Sequence, residues 1–172
     1  MRLKSVALLK SGKIYLAKKR YRSKVSSNGT TGFDLKSLLL LYDAPNEQAF
    51  KYFEILKTEL GISEDNFNAV CCGINNEFPV ERIAFVFEDI AYNGKLKNEA
   101  LKDMITSGPD LVINYTEKGN PEAAFLLKLT AAPIKAGRFD EKEINLSIND
   151  GNDPEVFVKE LIRYLKILKG NK

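Results

Sequence analysis

The chain has 172 residues, of which 44% are hydrophobic and 28% charged, and its formal net charge is +3. This length suits one domain with a single core and is too short for two domains of ordinary size. The sequence contains no histidine, which excludes Ser-His and Cys-His catalytic pairs and zinc sites that need imidazole. Any catalysis would rest on carboxylates, Lys, Tyr or a bound ion, and we expect no cofactor and no metal.

Residues 1–24 form a basic leader, which holds nine of the chain's 26 Lys and Arg residues and no acidic residue. Its apolar residues recur at helical spacing and fall on one side of a helix; they are Leu3, Val6, Ala7, Ile14, Ala17 and Tyr21. We predict a basic amphipathic helix over residues 1–25, interrupted at Ser11-Gly12, and a flexible linker over residues 26–32.

Three interpretations of the leader remain open. In the first, its apolar stripe docks on the body of the protein. In the second, its basic side chains bind an anionic membrane surface, and in the third they bind nucleic-acid phosphates. The sequence disfavours nucleic acid, because it has neither an aromatic stacking motif nor a recognition helix. The basic side chains that would contact a membrane or a phosphate are Lys10, Lys13, Lys18, Lys19, Arg20 and Arg22.

From residue 33 onward, strand and helix patterns alternate. Lys36–Asp43 is a continuous apolar run, as expected of a strand buried on both faces, and a helix follows that Gly61 ends. Asn66–Ile74 and Ile83–Ile90 are predicted strands. The gap between them is too short for a helical crossover, so this pair forms either a hairpin or an irregular crossing.

The second half of the chain repeats this alternation. Asn98 suits the cap of a short helix that stops at Gly108-Pro109, and Asp110–Tyr115 is the next strand. Asn120-Pro121 opens another helix, and "PIKAGRF" and "EINLSIN" are short strands. Asp153 then caps a final helix, whose residues available for the core are Val156, Leu161, Tyr164, Leu165 and Leu168.

Five or six strands that alternate with helices predict a single α/β domain over residues 33–172, with an open, mostly parallel, Rossmann-like or flavodoxin-like sheet. Ligands bind such sheets at the carboxyl ends of the strands, where the strand order reverses. The polar residues expected at this edge are Asp43, Glu88, Asp89, Asn114, Glu117, Asn120 and Arg138.

Two roles are open for these residues. As a ligand site, the carboxylates would bind sugar hydroxyls or a cation, and Arg138 would bind a phosphate or carboxylate. The helix that starts at Asn120 would favour an anion. As structural residues, Asp43 would cap a turn, Asn114 would satisfy loop backbone and Glu117 would be solvated. No Gly-rich phosphate-binding motif supports a nucleotide site.

The adjacent cysteines Cys71 and Cys72 lie in a predicted strand. Neighbouring strand residues point to opposite faces, so we expect two reduced core thiols rather than a disulfide or metal site. No apolar run reaches the roughly 18 residues of a membrane span, and "VALL" does not form a signal-peptide core. We therefore expect a cytoplasmic protein, with the inner membrane face as a possible peripheral location.

The segment "DLVINYTEKGNPEAAFLLKLTAAPIKAGRF" resembles the pattern "DLLINY…L…SKAKFKVG" of an uncharacterised bacterial family of domains of unknown function. That family also carries a basic N-terminal segment. The resemblance covers most of the chain and implies no known activity.

The same segment is similar, over about 30 residues, to a domain of heptosyltransferase-type glycosyltransferases. Those enzymes bind the sugar donor in a second domain, for which this chain has no room, and Asp43-Ala44 stands where they have a Gly-Asp turn. We therefore expect a noncatalytic module that binds a small ligand or a partner protein. The alternative is an enzyme, or half of one, that acts on a phosphorylated or sugar-like substrate.

Overall fold

The structure is a computed structural model that describes residues 2–21, 35–73 and 83–170. It begins with helix α1 (Arg2–Arg20), which is continuous, so the predicted break at Ser11-Gly12 is wrong. A glycine inside a helix costs only about 1 kcal/mol, and the packing of Ile14, Ala17 and Tyr21 on the body offsets this cost. The predicted linker at 26–32 lies outside the described residues.

Within residues 35–73 and 83–170, the body has six strands and four further helices. The strands are β1 (Leu38–Tyr42), β2 (Phe67–Cys72), β3 (Ile83–Phe85), β4 (Leu111–Tyr115), β5 (Ile134–Gly137) and β6 (Leu146–Ser147), and the helices are α2 (Phe50–Leu60), α3 (Glu99–Thr106), α4 (Pro121–Leu129) and α5 (Pro154–Gly170). A 3₁₀ turn over Ala44–Ala49 leads into α2.

All six strands are parallel and follow the order β3-β2-β1-β4-β5-β6. The predicted open α/β sheet is confirmed, and the order is that of the Rossmann arrangement. The hairpin alternative for the second and third strands is wrong, because Cys71 pairs in parallel with Ala84. The order reverses between β1 and β4, which places the topological switch point there.

The sheet is covered on both faces. Leu38, Leu40 and Tyr42 of β1 face the core that is closed by α2 and α5. Leu39 and Leu41 face a second core, which α1, α3 and α4 complete. Burial on both faces is why β1 reads as an unbroken apolar run.

Two predicted elements differ from the structure. The third strand ends at Phe85 instead of Ile90, because a 3₁₀ turn follows and Ile90 forms an isolated antiparallel bridge with Leu96. In α5, Leu161 and Leu165 are buried as predicted, whereas Val156, Tyr164 and Leu168 are exposed. Phe157 and Val158 fill the core instead, so the apolar pattern of this helix is wider than the face it buries.

The caps agree with the sequence. Asn98 accepts a hydrogen bond from the Leu101 N–H and starts α3, and Asn120 accepts one from the Ala123 N–H and starts α4. Gly61 ends α2 in the left-handed region with φ of 69°, where glycine has no steric penalty.

Candidate functional site at the carboxyl edge of the sheet

Asp43 directly follows β1 and is buried. One carboxylate oxygen accepts a 2.6 Å hydrogen bond from the backbone N–H of Glu117, after β4. The other accepts a 2.6 Å bond from the side-chain amide of Asn46. Because the strand order reverses between β1 and β4, the Asp43 carboxylate bridges the switch point, where an open Rossmann sheet would admit a ligand.

Arg138 directly follows β5, and its side chain is only 4% exposed. Its Nη1 donates to Asn46 Oδ1 at 3.2 Å, and its Nη2 donates to Asn152 Oδ1. Its Nε lies 3.1 Å from Asp150 Oδ2. The guanidinium also sits 4.6 Å from the centre of the Tyr115 ring, within the range of a cation–π contact.

Tyr115, the last residue of β4, completes this cluster. Its hydroxyl donates a 2.9 Å hydrogen bond to Asp150 Oδ2, the oxygen closest to Arg138 Nε. Burial raises the pKa of Tyr115, and the hydrogen bond to the Asp150 carboxylate raises it further. The phenol therefore stays protonated at neutral pH and acts as a hydrogen-bond donor, not as a base.

Asn114 and Asn120 are held by separate contacts. Asn114 Oδ1 accepts from the Thr116 hydroxyl at 2.9 Å, and its amide nitrogen lies 3.4 Å from Glu141 Oε2. Asn120 caps α4 and donates from its amide to the carbonyl of Cys72 at the end of β2. These amides hold neighbouring loops together.

The structure thus links three of the predicted site residues in one hydrogen-bonded chain. Glu117 contacts Asp43 through its backbone, and Asp43 connects to Arg138 through Asn46. The Glu117 side chain is exposed. Glu88 and Asp89 follow β3, and Asp89 accepts from the Val86 N–H at 3.1 Å.

Four partners in this network were absent from the sequence prediction: Asn46, Tyr115, Asp150 and Asn152. A signal existed for Asp150, because it follows the sixth strand as Arg138 follows the fifth, and the same carboxyl-end rule applies to it. Asn152 has a φ of 69°, and no pattern in the sequence predicted this left-handed conformation.

A cavity of about 400 Å³ opens beside Arg138. Its walls come from the loops after β4, β5 and β6, and they are lined by Lys118, Arg138, Phe139, Asp140, Asn149, Asp150, Gly151 and Asn152. Lys118 and Asp140 are exposed, so the rim offers one charge of each sign.

A family model described as "Family of unknown function (DUF6913)" matches residues 9–168. The chain belongs to this family. The expected membership of an uncharacterised family is thereby confirmed. No curated protein and no solved structure matches the chain significantly.

The described part of this DUF6913 chain contains no group of three or more His, Cys, Asp or Glu residues that could hold a metal ion. Cys71 and Cys72 are buried and form no disulfide, and burial raises the pKa of the Cys72 thiol. Burial lowers the pKa of Lys135, but its Nζ is held by the Leu127 carbonyl at 2.6 Å. None of these groups faces the cavity beside Arg138.

The basic leader of the DUF6913 chain docks on the body. Ala17 is fully buried, and Lys18 lies 6.0 Å from the centre of the Phe125 ring. Lys19 and Arg20 are exposed and Lys13 is half-buried. Lys10 lies in α1, and Arg22 lies outside the described residues. No helix among residues 2–21, 35–73 and 83–170 is long and apolar enough to cross a membrane.

Proposed function

We propose that this chain is a noncatalytic α/β module that binds a small polar ligand in the cavity beside Arg138. The observation that supports this proposal most is the closed switch point. Each carboxylate oxygen of Asp43 accepts a hydrogen bond from the protein, one from the Glu117 N–H and one from the Asn46 amide. A general base must lie within hydrogen-bond reach of the substrate proton that it takes, and the Asp43 carboxylate is buried against these two protein donors.

The chemistry of the other groups supports the same conclusion. Arg138 is held on three sides by Asn46, Asn152 and Asp150, so a substrate phosphate would have to break existing contacts. Tyr115 keeps its proton because burial raises its pKa. Polar groups held in place in this way form a fixed wall of a binding site, whereas catalysis needs a base or nucleophile that can reach the reacting atom.

The ligand class follows from the cavity. A volume of about 400 Å³ lies within the usual range for small-molecule sites. Its exposed rim carries both the Lys118 ammonium and the Asp140 carboxylate, which favours a zwitterionic or multiply hydroxylated ligand. If the ligand is a partner protein, we propose that an extended loop with the same polarity enters the cavity.

A thermal-shift screen against sugar phosphates, nucleotide sugars, amino acids and nucleotides tests the proposal. A true ligand at about 100 times its dissociation constant adds about 2.7 kcal/mol to the free energy of unfolding. Lys118→Ala and Asp140→Ala should remove that shift without changing the melting temperature of the free protein, because both side chains are exposed. Lys142→Ala is the matched control, since Lys142 is exposed and outside this cavity.

The competing function is an enzyme, or enzyme half, of glycosyltransferase type. It predicts turnover: the chain would hydrolyse or transfer from a sugar nucleotide that it binds. Product formation that Asp43→Asn abolishes would overturn the noncatalytic proposal. The ligand-binding part would be overturned if no compound raised the melting temperature, or if Lys118→Ala and Asp140→Ala kept the full ligand-induced shift.

We also place the chain in the cytoplasm, and its resemblance to a bacterial family suggests a bacterial cell. Two reduced, buried cysteines suit a reducing compartment.

A further inference from the structure

The turn over residues 91–97 packs directly against α1. A Cβ atom added to Gly94 would lie 2.6 Å from the Ala17 nitrogen and 2.8 Å from Leu16 Cβ. The Leu96 N–H donates to the Tyr21 hydroxyl at 3.3 Å. The turn and the helix therefore form one continuous surface.

The outward side of α1 next to this turn is basic and aromatic. Successive residues of a helix are turned by about 100°. Going around α1 from the side that meets Gly94, the order of the residues is Arg20, Leu16, Lys19 and Tyr15. Tyr15 is 66% exposed and Leu16 is 42% exposed, and Lys19 and Arg20 are exposed.

The turn contributes the same chemistry. Tyr92 at its tip is 80% exposed, and Lys95 and Lys97 are exposed as well. We call the combined set the basic tyrosine surface; it consists of Tyr15, Leu16, Lys19, Arg20, Tyr92, Lys95 and Lys97. It contains no acidic residue. The neighbouring carboxylate of Glu99 forms an ion pair with Lys102, which reduces the repulsion between this carboxylate and a bound anion.

We propose that the basic tyrosine surface binds an anionic membrane surface. Tyrosine prefers the boundary between lipid and water, because its ring is apolar and its hydroxyl is polar. The exposed lysines and arginine of α1 and of the adjoining turn are attracted to acidic headgroups. An exposed Leu16 between these charges supplies apolar contact that a nucleic-acid phosphate backbone would not use. The proposal concerns residues outside the Arg138 cavity, so either proposal can fail alone.

Fluorescence gives a direct test, because the chain contains no tryptophan. In the full chain, Tyr92→Trp would be the only indole. On vesicles of phosphatidylcholine with phosphatidylglycerol its emission should shift to the blue, and on phosphatidylcholine alone it should not. The matched control is Tyr164→Trp on α5, which is also exposed but lies on the helix layer of the opposite sheet face; its emission should not change.

Charge reversal tests the electrostatic part by vesicle co-sedimentation. Each basic side chain near an anionic surface contributes about fivefold to partitioning, so Lys95→Glu with Lys97→Glu should weaken binding by at least about 25-fold. Lys166→Glu with Lys169→Glu on α5 makes the same charge change at exposed positions elsewhere and should retain most of the binding. Circular dichroism of each variant verifies folding.

Three results would overturn the proposal. The first is an equal loss of binding in the α5 pair, which would show that the net charge of the chain drives binding and that this surface does not. The second is an unshifted Tyr92→Trp emission on anionic vesicles. The third is tight binding of a single-stranded oligonucleotide that Lys95→Glu with Lys97→Glu abolishes, together with no sedimentation on vesicles, which would assign the surface to nucleic acid.

Discussion

Asp43 and Glu117 are 74 positions apart in the sequence, yet the Asp43 carboxylate accepts a 2.6 Å hydrogen bond from the Glu117 backbone N–H. This bond joins the loops after β1 and β4, the two strands between which the sheet order reverses. In a sheet of this order the crevice between those loops is the usual ligand entrance. In this chain a buried carboxylate occupies it.

Asp43→Ala should lower the free energy of unfolding by about 2–4 kcal/mol, because it leaves the Glu117 N–H and the Asn46 amide without their charged acceptor. Urea denaturation followed by circular dichroism measures the change. Asp140→Ala, at an exposed position, should stay within about 0.5 kcal/mol of the parent chain. Equal stability of the two variants would show that the Asp43 bridge contributes nothing to the fold.

Tyr115→Phe should remove one hydrogen bond to Asp150 while keeping the ring packed between Phe53 and Phe157. A hydrogen bond to a charged group contributes about 1.5–3 kcal/mol, so unfolding free energy at pH 7 should fall by that amount. Tyr92→Phe, at a largely exposed position, should have little effect on stability.

Tyr115→Phe should also change how the free energy of unfolding depends on pH in alkaline solution. The pKa of Tyr115 is raised in the folded chain above its ordinary value of about 10. The unfolded chain therefore loses this proton first, and stability falls with a slope of up to about 1.4 kcal/mol per pH unit above pH 10. Below pH 10 the contribution is fully present. The difference between parent and Tyr115→Phe should shrink above pH 10, and a constant difference from pH 7 to pH 11 would contradict this account.

Cys71 and Cys72 should be unreactive toward a thiol reagent in the native chain. Both are buried in the central region of the sheet, and burial raises the pKa of Cys72, so little thiolate is present. Labelling with Ellman's reagent should be slow in buffer and complete in denaturant. Rapid native labelling of either thiol would show that the sheet opens locally around β2.

Local rules predicted much of the fold. The unbroken apolar run of β1, the Asn98 and Asn120 caps and the Gly61 stop each depend on neighbouring residues, which is why the sequence alone indicated them. The exposed Tyr164 and Leu168 were misassigned because helical spacing shows which residues are apolar, not how much of that face another element covers.

The site was harder to predict, because its contacts join distant segments. The carboxyl-end rule placed Asp43 and Arg138 at the correct edge, but their link through Asn46 depends on side-chain directions that arise only after the sheet assembles. Arg138 and Asn46 are 92 positions apart. A single sequence contains no local signal for such a pair.

Gly94→Ala should release α1 from the body. Gly94 has φ of 76°, and a Cβ there would lie 2.6 Å from the Ala17 nitrogen and 2.7 Å from the Leu16 carbonyl carbon. Those atoms belong to the helix backbone and cannot move without moving α1. Hydrogen exchange should therefore quicken at residues 14–20, where packing against the turn protects the helix.

Gly119→Ala separates this clash from the cost of a left-handed alanine. Gly119 has nearly the same φ, 78°, but a Cβ there meets nothing within 4 Å. Both variants carry the conformational cost of about 1–2 kcal/mol, whereas only Gly94→Ala adds an overpacking cost of about 1–3 kcal/mol. Exchange at residues 14–20 should rise in Gly94→Ala alone. If α1 is equally protected from exchange in both variants, the turn does not hold the helix. The basic tyrosine surface, which α1 and the turn form together, would then not be a rigid unit.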